Sequence, residues 1–377
     1  MTAAPLPYGR QEISEADVEA VAEVLRSELI TQGPVVGRFE QALADHVGAA
    51  HAVAFSSGTA ALHGAAFAAA LGVGDEVLVT PMTFAASANC ALYVGARPRF
   101  VDIDPETWNL DTRAAAEAAG EATRAVVAVS YAGLPVDLSP LSGLTVIEDG
   151  CHAIGGHRDG SMVGGPGGAD MTAFSFHPVK TITTGEGGAV TTEDGELARR
   201  LRLFRTHGIT REGISPGPDD GAWYYEMQAL GFNYRITDVQ CALGLSQLER
   251  LDGWVRRRNE IASAYRDLLA DEDRIELPPP APEGSLHGYH LFPIRVRAGA
   301  QARRAAFEAL RAAGIGVQVH YIPVYRLAHY RDTLGYPQDS CPHAEALYSG
   351  LISLPMFPGM TEADLERVAG ELAKVLP

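Results

Sequence analysis

Short apolar runs alternate with stretches of small residues along much of the chain, from residue 51 to about residue 205. The apolar runs are rich in β-branched residues, a pattern typical of buried strands. The alanine-rich stretches between them are typical of helices. Strands that alternate with helices predict a mainly parallel central sheet with helices on both faces. The predicted strands are HAVAF, DEVLVT, RPRFVDI, RAVVAVS, LTVIED, MTAFSF and GGAVTTED.

Capping residues mark the predicted ends of several helices. Ser14 precedes an amphipathic stretch and Asp17 follows three residues later, which predicts a helix that begins at Ser14. Gly72 and Gly95 follow two of the alanine-rich stretches, and we expect each of them to end a helix. One long helix with a threonine cap is predicted over residues 237–269.

The remaining patterns predict a second, smaller unit. The segment Gly213–Trp223 has Pro, Gly and Asp in place of periodicity, which is typical of a long exposed loop. Residues 276–284 are rich in proline, as in a linker or surface loop, and strand-like and helix-like patterns resume after them. We therefore predict a large domain over residues 1–250 and a small C-terminal α/β domain over residues 251–377.

Composition and charge exclude several classes of partner. The chain has 377 residues and a formal net charge of −17, which argues against binding to nucleic acid or to an anionic membrane. Its four cysteines are scattered without zinc-ligand spacing, so no metal site is expected. The first residues lack the basic and apolar regions of a signal peptide, and no apolar run reaches the ~20 residues that span a bilayer. These features predict a reduced, cytoplasmic protein.

The segment FSSGTAALHGA, which follows the first predicted strand, is the first candidate binding site. A turn of this composition at the start of a helix presents free backbone N–H groups, which bind phosphate. Gly58 allows an anion to approach the backbone, and Ser57 and Thr59 can donate hydrogen bonds. Taken alone, the segment fits an ordinary N-capped turn at least as well.

Two further positions lie near the predicted carboxyl edge of the sheet, where such folds bind ligands. Phe84 could stack on a planar ring, although most phenylalanines are core residues. Asp149 ends the strand LTVIED, and His152 follows three residues later. A carboxylate at Asp149 could serve as a metal ligand, a base, a cofactor partner or merely a cap.

Lys180 is the most specific candidate. It lies in FSFHPVKTITTGEGGA, among Ser, Thr and Gly residues and almost without acidic neighbours. A solvated surface cation is the usual role of a lysine, but these surroundings suit a lysine that forms a Schiff base with a carbonyl. A phosphate cradle, an aromatic side chain, a carboxylate and a lysine together meet the four needs of pyridoxal phosphate (PLP).

The motifs SSGTAALH, PMTFAASAN, IEDGCHAIGG, FSFHPVKTITTGEGGA and GFNYRITDVQCALG occur in this order along the chain. In that order they resemble the DegT/StrS family of nucleotide-sugar aminotransferases, and the resemblance covers essentially the whole chain. It implies fold type I of the PLP-dependent transferases, the aspartate-aminotransferase-like α/β fold with a smaller C-terminal α/β domain. It also implies a homodimer whose subunits share their active sites.

The resemblance assigns a role to each of the motif residues. Gly58, Thr59 and Ser175 would bind the cofactor phosphate, and Phe84 would stack on its ring. Asp149 would pair with the ring nitrogen, and His152 would lie near the ring oxygen. Lys180 would bind the cofactor covalently. Asn233 would reach the phosphate in the neighbouring subunit.

Within the family, HPVKTITTGEGG, SYAG, GLSQL and VHYIPVY resemble the transaminases of pseudaminic acid biosynthesis. This implies transfer from L-glutamate to C4 of UDP-2-acetamido-2,6-dideoxy-β-L-arabino-hex-4-ulose. By motif position alone, Arg10, Arg235, His320 and Tyr321 are candidates for binding this UDP-linked sugar. For each of them, a structural ion pair or a solvated surface role fits at least as well.

Three alternatives to this substrate and activity remain. The D-xylo ketone of bacillosamine-type sugars is the competing substrate. An amino-acid aminotransferase of the same fold is compatible with the residues themselves. A non-catalytic PLP-binding regulator is the alternative from another class, although the acidic balance opposes binding to DNA.

Overall fold

The computed structural model describes residues 4–215, 217 and 219–376. A central sheet has seven strands in the order β1-β9-β8-β5-β4-β2-β3, and three smaller sheets are β10-β11, β12-β13-β14 and β6-β7. The strands are β1 (His51–Phe55), β2 (Glu76–Val79), β3 (Arg97–Phe100), β4 (Thr123–Val129), β5 (Thr145–Asp149), β6 (His157–Arg158), β7 (Ser161–Met162), β8 (Met171–Ser175), β9 (Gly188–Thr192), β10 (Ile209–Thr210), β11 (Glu226–Met227), β12 (Ile275–Glu276), β13 (Phe292–Val296) and β14 (Leu351–Leu354).

The central sheet is mainly parallel, as predicted. β3, β2, β4, β5 and β8 pair in parallel, whereas β9 runs antiparallel to both β8 and β1. β1 therefore has the same direction as β8, and the carboxyl ends of six strands meet at one edge. Ligands of such sheets bind at this edge.

Helices cover the central sheet and the small three-stranded sheet. They are α1 (Glu15–Leu25), α2 (Pro34–Val47), α3 (Gly58–Ala68), α4 (Ala85–Tyr93), α5 (Thr112–Ala118), α6 (Gly195–Phe204), α7 (Asp238–Leu248), α8 (Leu251–Leu268), α9 (Ala300–Ala312), α10 (Pro342–Gly350) and α11 (Glu362–Val375). As predicted, Ser14 and Thr237 cap α1 and α7, each within a capping box. None of the helices in the described part of the chain is long and apolar enough to cross a membrane.

The prediction of one helix over residues 237–269 is wrong, because α7 ends at Leu248 and α8 begins at Leu251. α7 packs against α1 and α2, whereas α8 packs against α11. At the junction, the Arg250 guanidinium lies 2.6 Å from the carboxylate of buried Asp17. Tertiary packing thus breaks the helix where no glycine or proline does.

A second predicted helix end is also wrong. α3 ends at Ala68, four residues before Gly72, and its C-cap is Ala69. Gly95 does follow the end of α4, with a positive φ of 85°.

The small sheet has a hydrophobic core of its own, which includes Tyr265 of α8, Ile294 of β13 and Leu310 of α9. The division into domains at residue 250 stays a prediction. The predicted loop Gly213–Trp223 connects β10 to β11 and has no regular structure at its described residues. Pro216 and Pro218, within that segment, lie outside the described residues.

Candidate active site

A cavity of about 580 Å³ lies at the carboxyl edge of the central sheet. Ten of the residues that the sequence proposed for cofactor or substrate binding line it. They are Ser57, Gly58, Thr59, Phe84, Asp149, His152, Ser175, Lys180, His320 and Tyr321. Segments far apart in the chain therefore meet in one place.

The start of α3 forms one end of the cavity. Ser57 is the N-cap of this helix, and its side-chain oxygen accepts a hydrogen bond of 3.1 Å from the backbone N–H of Ala60. A Cβ atom at Gly58 would lie only 2.7 Å from Cβ of Ser175, so only glycine lets β8 approach the helix so closely. The close approach places the Ser175 hydroxyl beside a helix N-terminus. Both groups can hold a phosphate.

Asp149, the last residue of β5, is held by two hydrogen bonds. The Ser87 hydroxyl donates to Oδ2 over 2.5 Å, and the backbone N–H of Cys151 donates to Oδ1 over 3.1 Å. The aspartate is buried, and it still lines the cavity. Both oxygens thus accept a hydrogen bond from a fixed donor, and an aspartate held in this way can pair with a protonated ring nitrogen.

Phe84 stands at the N-cap of α4 and is 60% exposed, although it lines the cavity. Its ring centroid lies 6.2 Å from that of Tyr321. A phenylalanine packed in the core would be buried, so the core alternative is wrong for Phe84. Its ring is free to stack on a planar ligand.

Lys180 follows β8 in the connection to β9, and its backbone N–H is bonded to the carbonyl of His177. Burial lowers the pKa of the Lys180 ammonium, while the neighbouring Cys151 and Asp149 partly offset that effect. A lowered pKa increases the neutral amine fraction, which is the nucleophilic form. The chain contains one other lysine, Lys374, which is exposed on α11 and pairs with Glu371.

Histidine and tyrosine side chains form another part of the cavity. His152 Nε2 lies 3.0 Å from the Tyr321 hydroxyl, and the His152 and His290 rings are 4.6 Å apart. Burial lowers the pKa of both histidines well below the usual value, and the charge of Lys180 lowers it further. The Nδ1 atoms of both rings are buried without a hydrogen-bond partner among the described residues. These nitrogen atoms are free to bond a ligand.

Several lining residues were missed by sequence reasoning. They are Tyr8, Thr83, Ser87, Cys151, His177, Glu186, His290 and Gln318, together with smaller apolar neighbours. Thr83, Ser87, Cys151, His177 and Glu186 lie inside the motifs PMTFAASAN, IEDGCHAIGG and FSFHPVKTITTGEGGA, but only Phe84, Asp149, His152, Ser175 and Lys180 of these motifs were assigned a role. The other missed residues lie outside the quoted motifs. His290, for example, directly precedes the buried run LFPIRV and has the sequence context of a core residue.

The other three proposed residues do not line this cavity in the single chain. Asn233 is exposed and pairs through its backbone with Thr206. Arg235 lines a separate cleft beside the start of α2, and the Arg10 guanidinium lies 5.8 Å from the centroid of the Phe357 ring. Their roles in binding stay predictions.

Residues 11–373 match the model of the DegT/DnrJ/EryC1/StrS aminotransferase family. A UDP-4-amino-4,6-dideoxy-N-acetyl-beta-L-altrosamine transaminase of Campylobacter jejuni is 37% identical over 388 residues, covering 98% of this chain and 97% of that protein. Helicobacter pylori PseC, an aminotransferase involved in the biosynthesis of pseudoaminic acid, superposes with a TM-score of 0.90 at 31% identity, covering 99% of each chain. The PLP form of Spr1654 from Streptococcus pneumoniae gives 0.91 at 29% identity, covering 99% of this chain and 100% of that one.

The fold and the cavity define an enzyme that uses pyridoxal phosphate to transfer amino groups. The chain belongs to the DegT/DnrJ/EryC1/StrS aminotransferase family and is a sugar aminotransferase. The predictions of fold type I, of the family and of the cofactor are confirmed. The residues present also fit this cofactor, because a helix N-terminus, an exposed aromatic ring, a carboxylate and a half-buried lysine converge in one cavity.

Proposed function

We propose that the enzyme transfers an amino group from L-glutamate to C4 of UDP-2-acetamido-2,6-dideoxy-β-L-arabino-hex-4-ulose. The observation that supports amino transfer is the convergence of Lys180 and Asp149 in one cavity with the N-terminus of α3. The choice of sugar is supported by the similarity to the Campylobacter jejuni transaminase and to Helicobacter pylori PseC.

Several residues of the cavity have a proposed task in binding the cofactor. Gly58, Thr59 and Ser175 hold the phosphate, and Phe84 lies against the ring. Asp149 faces the ring nitrogen and keeps it protonated. The bound cofactor supplies a ring that accepts the electrons left when a proton departs from the substrate carbon.

Lys180 has two tasks in this proposal. It forms the covalent attachment to the cofactor, and it later moves the proton to and from the substrate carbon that carries nitrogen. Burial suits the second task, since a lysine with its ordinary pKa would stay protonated at neutral pH. His152 and Tyr321 restrict the orientation of the bound molecules from the side.

We also propose that the working enzyme is a homodimer, in which Asn233 contacts the cofactor phosphate held by the other subunit. Several large apolar side chains near Asn233 are exposed in the single chain. They are Trp223 at 71%, Tyr225 at 53%, Leu230 at 75% and Phe232 at 40%. Such clustering is typical of a surface that another protein covers.

Reduction with borohydride tests the proposed lysine. Because the chain has only two lysines, the cofactor can be fixed to the peptide with Lys180 or to the peptide with Lys374. We expect the label on Lys180 in the wild type and in K374A, and no label in K180A. A label on Lys374 would contradict the assignment.

A competition assay tests the proposed sugar. Enzyme at a limiting concentration is mixed with L-glutamate and with equal concentrations of the β-L-arabino ketone and its D-xylo epimer at C5. NMR then identifies the aminated products. A pocket that separates such epimers by shape and one hydrogen bond gives a preference of roughly 30- to 1000-fold. Preference for the D-xylo ketone would leave aminotransfer intact and replace the sugar. Transfer confined to amino acids and 2-oxo acids, or no transfer, would reject the proposal.

A further inference from the structure

Asp149 is the third member of a short chain of buried hydrogen bonds. The Thr83 and Ser87 hydroxyl oxygens are 2.6 Å apart, and the Ser87 hydroxyl lies 2.5 Å from Oδ2 of Asp149. All three side chains are at most 5% exposed. Ser87 lies in the first turn of α4, next to Phe84, so one helix start carries both the ring-facing aromatic and the donor to the carboxylate.

The direction of these bonds follows from a count of hydrogens. An ionised carboxylate can only accept, so Ser87 must donate its single hydroxyl hydrogen to Asp149. Thr83 must then donate its own hydrogen to the Ser87 oxygen. Hydrogen bonds in series polarise one another, so the Thr83 bond strengthens the bond that Ser87 makes to the carboxylate.

We infer that Ser87 and Thr83 are positioning residues that orient the ionised carboxylate of Asp149 toward the cofactor ring nitrogen. Ser87 bonds Oδ2, and the Cys151 backbone bonds Oδ1, so rotation of the carboxylate is blocked at both oxygens. Each oxygen keeps a second lone pair, and the carboxylate lines the cavity. The inference rests on the proposed contact between Asp149 and the ring nitrogen.

The chain contains a matched control one residue earlier. The Ser130 hydroxyl donates to Oε1 of Glu148 over 2.5 Å, and both side chains are buried. Glu148 points away from Asp149, because successive side chains of a strand face opposite sides, and it lines a different cleft beside Arg158. S130A therefore deletes an equally short serine–carboxylate bond whose carboxylate lies outside the cofactor cavity.

The experiment measures the protonation state of the cofactor ring nitrogen directly. Holoenzyme is prepared with ¹⁵N-labelled pyridoxal phosphate, and the ¹⁵N chemical shift and the rate of the half-reaction with glutamate are measured for S87A, T83V, T83S and S130A. For S87A we expect a shift toward the unprotonated ring and a kcat about 10- to 100-fold lower, as for loss of a hydrogen bond to a charged group, with little change in KM.

The remaining variants decide the result. T83V should move the ¹⁵N signal in the same direction as S87A and lower kcat about 2- to 5-fold. T83S should restore the wild-type ¹⁵N shift and kcat. S130A should leave the ¹⁵N shift unchanged. Unmoved signals in S87A and T83V would overturn the inference, and T83V alone decides it if S87A does not fold.

D149N separates this inference from the proposal beneath it. If D149N moves the ¹⁵N signal and S87A and T83V do not, Asp149 keeps its role and the positioning role fails. If D149N leaves the signal unmoved, the proposed contact between Asp149 and the ring nitrogen fails as well.

Discussion

The cavity has two walls of different construction. One wall, which we call the sheet wall, comprises residues 57–59, Asp149 and Ser175, at or next to the ends of regular elements, and Lys180 in the connection between β8 and β9. The other, the C-terminal wall, comprises His290, Gln318, His320 and Tyr321, which lie outside helices and strands. Backbone hydrogen bonds fix most of the sheet wall, and two of them also hold Gln318 to Ser353, whereas side-chain contacts fix His320 and Tyr321.

Contacts around His320 and Tyr321 illustrate the second construction. His320 Nδ1 lies 2.9 Å from the Ser353 hydroxyl, and the Tyr131 hydroxyl donates to the His320 carbonyl. The Tyr321 hydroxyl lies within hydrogen-bond distance of His152 Nε2. A surface held by side chains can change its shape without disturbing the sheet. We infer that the sheet wall serves the chemistry that all these aminotransferases share and that the C-terminal wall selects the sugar.

The largest effect should come from the sheet wall. K180A removes both the covalent attachment and the proton carrier, so we expect the rate with glutamate to fall about 10⁴-fold or more. Stopped-flow measurement of the half-reaction checks this, with K374A as the control that keeps the wild-type rate. Residual turnover of K180A within 100-fold of the wild type would remove Lys180 from the proposed mechanism.

A variant in each wall should distinguish the function of the sheet wall from that of the C-terminal wall. S175A should weaken cofactor binding about 10-fold, since it removes a donor to a charged phosphate, and Q318A should instead raise KM for the sugar nucleotide by a similar factor. Equilibrium dialysis of the cofactor and steady-state kinetics measure the two quantities. If both variants lose affinity for the cofactor equally, the two walls do not have separate roles in binding the cofactor and the sugar nucleotide.

The same division decides what the sequence could predict. Gly58, Asp149 and Lys180 stand beside strands and helices that are visible as patterns, so their convergence follows from the topology of a parallel sheet. His290 and Gln318 have no such marker, because their place depends on how distant segments pack. Ser87 was missed for a related reason, since the carboxylate that gives it a role lies 62 residues away. The break between α7 and α8 likewise depends on packing, and it has no local signal.

Acid should destabilise the C-terminal wall. Burial, with the charge of Lys180, lowers the pKa of His320 to about 4. Below pH 6.5 His320 binds a proton in the unfolded chain, whereas in the folded protein it stays neutral until about pH 4. Its contribution to the free energy of unfolding is therefore fully present above pH 6.5 and is lost as the pH falls from 6.5 to about 4. H320Q should reduce the loss of unfolding free energy between pH 7.5 and pH 5.5 by about 1 kcal/mol, as measured with urea.

The exposed His343 supplies the control for this measurement. H343Q should retain the pH dependence of the wild type, because this side chain is exposed and lies outside the C-terminal wall. If H320Q and H343Q show the same dependence as the wild type, His320 does not couple protonation to folding.

The smallest effect concerns Ser57, where a helix cap and a phosphate ligand are both compatible with the sequence. Its oxygen accepts the Ala60 N–H, and a hydroxyl that accepts one bond still has a hydrogen to donate, so the two roles can coexist. Loss of the cap costs about 1 kcal/mol in S57A but only a few tenths of a kcal/mol in S57G. Urea unfolding of the apoenzyme should therefore separate the two variants, whereas the affinity for pyridoxal phosphate should fall by the same factor in both. If cofactor affinity instead follows helix stability, high in S57G and low in S57A, then Ser57 is a cap alone and the backbone of the sheet wall binds the phosphate without it.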